Sequence, residues 1–138
     1  MKYKQLEKLM HLSQDVGHVF IATANRDGEP HMAVAGSLIY RSDSQIEIDE
    51  WFCPQTLANL ESAPLISIAI WDPEADEGMQ LTGSVSEIRD QQILNGYGPD
   101  AQEQGGYPQA KKQLVVDVVR IREFSIQPHT DEPVVEHS

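Results

Sequence analysis

Cysteine is almost missing from this chain: Cys53 stands alone among 138 residues, so no disulfide can form within it. That usage fits a reducing compartment, and the cytoplasm is the expected location. Positive charge is scarce as well. Ten Lys and Arg face 22 Asp and Glu, a net charge of −12. A field of that sign repels nucleic acid and anionic lipid, which excludes both as expected partners. No apolar run approaches the ~20 residues that span a bilayer, and the N-terminal MKYKQLEKLMHL lacks the apolar core of a signal peptide. The histidines His11, His18, His31, His129 and His137 show no pair at metal-ligand spacing, so no metal site is expected. Nucleophile-elbow, P-loop and dinucleotide glycine patterns are also lacking, which removes the usual signatures of serine hydrolysis, P-loop phosphoryl transfer and Rossmann redox chemistry.

What is present centres on Cys53 to Trp71, CPQTLANLESAPLISIAIW. Pro54 suits a first helical turn, and Leu57 and Leu60 lie on one helical face, so Pro54 to Glu61 reads as a short helix. Ala63-Pro64 stops it. The β-branched run Leu65, Ile66, Ile68, Ala69 and Ile70 then reads as an inner strand. A helix opening beside a sheet leaves N–H groups free, and with the Thr56 hydroxyl they suit a phosphate; a plain connector helix capped by Thr56 is the other reading.

Along the chain, Tyr3, Leu6, Leu9 and Met10 mark an amphipathic helix from Lys2 to about Ser13. Val16 to Ala24 is a strand, Asn25 to Gly28 a turn, and Pro30 opens a strand from His31 to Tyr40. Met32, Val34, Gly36 and Leu38 are expected to share one face of it. Gly36 and Ser37 weaken its centre, which suits a bulge or the close approach of a flat ligand. His31 is expected to be a strand-edge side chain with a solvated ring. Ile46 to Phe52 is a third strand, Asp72 to Gly78 an acidic hairpin loop, and Met79 to Ile88 a half-buried strand. A loop with weak helical turns is expected from Arg89 to Lys112, then a long closing strand from Leu114 to Gln127.

These elements predict a mainly β fold: a six-stranded antiparallel split β-barrel, with a short N-terminal helix and one short helix between strands 3 and 4. One domain over 1–127 is expected, followed by a flexible tail over 128–138.

Three segments carry a resemblance: GEPHMAVAGSLIY, QTLANLESAPLISIAIWD and GMQLTGSV. Together they resemble the split-barrel flavoproteins related to pyridoxamine 5′-phosphate oxidase. The shared pattern is Gly-x-Pro-His at Gly28 to His31, Asn59-Leu60 ahead of Pro64, and Gly78 with Gly83. The resemblance covers roughly Val16 to Val85. It implies FMN at a homodimer interface, with the ring against Ala33, Val34, Ala35, Gly36 and Ser37. The phosphate is implied near Glu50, Gln55 and Thr56, with Asn59 and Gln80 in the same cofactor-binding set.

The chain departs from that pattern at Gln55, where relatives that bind FMN tightly usually carry Lys or Arg, and Glu50 adds a carboxylate. Each missing cation removes a charge-assisted hydrogen bond worth about 1.5–3 kcal/mol. An Arg-rich substrate segment and a closing Arg-Leu-x-Pro are also missing, so a true pyridoxamine phosphate oxidase is not expected. The resemblance implies an FMN-dependent oxidoreductase or electron carrier acting on a small-molecule substrate or redox partner, with no catalytic acid or base from the chain. The alternative is a non-catalytic dimeric module of the same fold that has lost flavin or holds a deazaflavin or haem.

Overall fold

The computed structural model describes residues 5–90 and 110–128. The expected weak helical turns and most of the expected tail lie outside them. Helix α1 (Gln5–Val16) leads into β1 (Val19–Ala24), β2 (Pro30–Ala35), β3 (Leu38–Ser42) and β4 (Gln45–Phe52). Helix α2 (Pro54–Ser62) follows, then β5 (Leu65–Asp72), β6 (Glu77–Asp90) and β7 (Ala110–Phe124). The described strands thus number seven, not the expected six, because His31 to Tyr40 breaks at Gly36-Ser37.

All the pairings are antiparallel, in the order β2-β1-β5-β6-β7-β4-β3. The edge strands β2 and β3 are neighbours in sequence, separated only by Gly36 and Ser37. Alternation along the strands puts Ala33, Ile21, Ile68, Leu81 and Ile121 in one cross-strand row on the inner face. All but Ala33 are fully buried, and each such aliphatic chain contributes about 1.5–3 kcal/mol by leaving water. Leu6, Leu9, Met10 and Leu12 of α1 pack into the same core. The helix runs to Val16, beyond the expected Ser13, and Gly17 ends it at φ +91°, its N–H donating to Ser13 O at 2.8 Å.

The glycines of β6 are packing residues. A Cβ on Gly83 would lie 2.3 Å from Val116 Cγ1, and one on Gly78 would enter the Phe124 ring, which stacks on Trp71 at 5.8 Å. Register shifts between Thr82 and Gly83 and between Val85 and Glu87 bend the β6–β7 ladder.

Candidate functional site

Helix α2 begins where β4 ends, and its first turn is built by Cys53 and Pro54. Cys53 is the N-cap, with φ −74° and ψ 154°, and Pro54 follows at the start of the helix. No side chain caps the helix: the Thr56 hydroxyl instead meets Cys53 Sγ at 3.2 Å. Burial pushes the Cys53 thiol pKa up, but hydrogen bonds from Thr56 and from backbone N–H groups of the first turn outweigh it, and the net shift is downward. Leu60 faces the core, and Asn59 Nδ2 donates to Thr23 Oγ1 of β1. Gln55 Nε2 in turn donates to Asn59 Oδ1 at 2.8 Å. Thr56 and Asn59 are only 1% and 2% exposed, so their polar groups serve the fold.

The break between β2 and β3 holds a second arrangement. Glu50 Oε2 accepts the Gly36 N–H at 2.6 Å, and Oε1 accepts the Trp51 N–H at 3.3 Å. A Cβ on Gly36 would stand 2.6 Å from the same Oε2, so glycine is required for the carboxylate to sit there. Across the break the chain changes face. Met32 and Val34 are 64% and 59% exposed, whereas Leu38 is buried, which corrects the expectation that all four alternate residues share one face.

The five residues implied to meet the ring are therefore divided. Ala33 and Ala35 face inward, Val34 faces outward, and Gly36 and Ser37 form the break beside Glu50. Val34 heads an outer row of Phe20, Ala69, Gln80 and Arg122 across β1, β5, β6 and β7. Gln80 Nε2 donates within the sheet to Ser67 Oγ at 2.7 Å. The neighbouring row runs Met32, Ala22, Ser67, Thr82 and Arg120. The outer face is thus apolar and small at the β2 edge and basic at β7.

Arg120 and Arg122 were invisible as site residues in the sequence, because only the β6–β7 register brings them onto the face that carries Val34. Lys112 is another such residue, standing directly across from Glu50 in the β4–β7 pairing while its ammonium pairs with Asp90. His31 differs from its expected solvated state: its Nδ1 is buried without a partner, on the strand position paired with Thr23. No group of three or more metal-ligating side chains occurs among the described residues, and no helix among them is long and apolar enough to cross a membrane.

An open antiparallel sheet of this order, with one helix bridging β4 and β5, defines a split-barrel protein. The family model for pyridoxamine 5′-phosphate oxidase matches residues 6–125, and the chain belongs to that family. Among solved structures it is similar to HupZ of group A Streptococcus, with a TM-score of 0.64 and 23% identity over 91% of this chain and 97% of that one. An FMN-binding protein of Syntrophomonas wolfei gives 0.63 and 20%, covering 98% and 89%. A pyridoxamine 5′-phosphate oxidase-related, FMN-binding protein of Nostoc punctiforme gives 0.66 and 11%, covering 99% and 100%. No curated protein matches the chain.

FMN has two ends to satisfy, and the residues meet them unequally. The exposed Val34 and Met32 and the small Ala22 and Ala69 suit a flat apolar ring, whereas the space over Gly36 is taken by the Glu50 carboxylate. The phosphate end does not fit. Thr56 and Asn59 are turned into the fold, Gln55 is neutral and bonded to Asn59, and Glu50 brings negative charge.

Proposed function

We propose that this chain is a flavin-binding oxidoreductase or electron carrier of its family, working in the cytoplasm as a homodimer with the flavin at the interface. The observation that carries this reading is the uncovered apolar platform at the β2 edge, where Met32, Val34 and Phe20 are exposed beside the small residues of β1 and β5. The names of the Syntrophomonas and Nostoc proteins support flavin as the ligand. A bound flavin supplies hydride or electron transfer to a small acceptor. The chain's own part is to hold the ring against Val34 and Met32 and to keep water from it.

The test is the visible absorption spectrum of the purified protein, before and after incubation with FMN or riboflavin and desalting. Retained flavin bands support the reading. A colourless protein whose melting temperature is unmoved by excess FMN and by excess riboflavin overturns it, since a ligand of the native state must raise stability by mass action. That outcome favours the second reading, a dimeric binding module without flavin, which rests on the internal use of the Thr56 and Asn59 polar groups.

A further inference from the structure

We infer that Glu50 sets the specificity of the flavin site, selecting against a ligand that places a phosphate dianion at the β2–β3 break. This rests on the flavin reading above and says which flavin the site prefers: the unphosphorylated one.

Glu50 is fixed by the backbone on both of its oxygens, through the Gly36 and Trp51 N–H groups. The Gly36 N–H is the kind of donor that a phosphate oxygen seeks where a chain breaks from its sheet, and an internal carboxylate already occupies it. Gly36 leaves the space for that carboxylate, because a Cβ there would come within 2.6 Å of it. These partners of the Glu50 carboxylate are neutral N–H groups. Lys112, its cross-strand neighbour, is paired with Asp90, and Gln55 donates to Asn59. Arg41, on β3, pairs with Glu47 and not with Glu50.

A phosphomonoester carries a charge of roughly −1.5 to −2 at pH 7, so FMN brings a second anion to a carboxylate held in place and partly shielded from water. Riboflavin has the same ring and ribityl chain without that charge. The pair of ligands isolates the contribution of Glu50.

The experiment measures dissociation constants of riboflavin and FMN for the wild-type protein, Glu50→Gln and Gln55→Lys by flavin fluorescence. The wild type is expected to bind riboflavin more tightly, with the FMN deficit narrowing as salt is added. Glu50→Gln keeps an oxygen for the Gly36 N–H and should tighten FMN by about tenfold or more while leaving riboflavin within about twofold. Gln55→Lys, at an exposed position, should move the ratio in the same direction and covers the case in which Glu50→Gln does not fold. A ratio unchanged in the folded variants, with both flavins still bound, overturns the role of Glu50 and leaves the flavin reading standing; a phosphate seated towards Arg120 would give that result. Failure of all three proteins to bind either flavin overturns the flavin reading, and this inference falls with it.

Discussion

Asn59 Nδ2 donates a 3.0 Å hydrogen bond to Thr23 Oγ1, joining α2 to β1 across 36 positions of sequence. Both residues are buried, so each polar group depends on the other to replace water. The pair fixes how α2 lies on the sheet, and with it the distance from the helix start to the β2–β3 break.

Asn59→Ala strands the Thr23 hydroxyl in the core and is expected to cost about 1–3 kcal/mol of stability. Thr23→Val should cost a similar amount. Because the two residues share one bond, the double variant should lose clearly less than the sum, which chemical denaturation of all four proteins will measure.

Gly83→Ala forces a methyl against Val116 Cγ1 and to 2.9 Å from the Asp117 carbonyl oxygen. The backbone cannot yield as a flexible side chain would, so a loss of about 1–3 kcal/mol is expected. A variant as stable as the parent in a thermal melt would show that β6 and β7 move apart freely.

Cys53 should react with iodoacetamide at a lower pH than an unperturbed thiol, because Thr56 and the helix N–H groups stabilise its thiolate. Thr56→Val is expected to shift the rate–pH profile upward. The sign for stability follows from the depressed pKa: the contribution is full above the ordinary thiol value of 9.0 and disappears as pH falls through the folded value. A profile unmoved by Thr56→Val excludes the hydroxyl as the cause.

Asp76, at φ 50°, accepts the Ile126 and Gln127 N–H groups at 2.7 and 2.9 Å, clamping the segment after β7 to the β5–β6 hairpin. Asp76→Ala should release both amides to faster hydrogen exchange with little change elsewhere in the sheet. Exchange at Ile126 and Gln127 equal to that of the parent would mean that other contacts hold this segment.

The proposed homodimer predicts that Met32→Glu with Val34→Glu sediments as a monomer while its circular dichroism stays that of the parent. Both side chains are exposed in the single chain, so the charges do not disturb its core. A dimer that survives both changes would have to use another face.

Periodicity made α2 and β5 legible, because Pro54 starts one and the isoleucine run marks the other. It failed at Gly36. Local propensity shows a weak strand centre there, but the break also involves the Glu50 carboxylate 14 residues away, which takes the Gly36 N–H. The candidate site was readable as residue types and not as directions. Thr56 and Asn59 have the right chemistry for a phosphate, yet the way α2 lies on β1 turns them inward. The cations of the outer face are not legible in the sequence for a different reason: Arg120 and Arg122 join Thr82 and Gln80 only through pairing between distant strands.

The succession of β2 and β3 at opposite ends of the strand order makes Gly36-Ser37 a covalent clasp between the two rims of the sheet. The two borders, though not paired with each other, are held near each other by a two-residue tether. Cutting the chain there would turn the clasped sheet into an open ribbon with two independent sticky margins, each able to recruit a foreign strand. The peptide linking these residues therefore holds the two rims together as well as shaping the site.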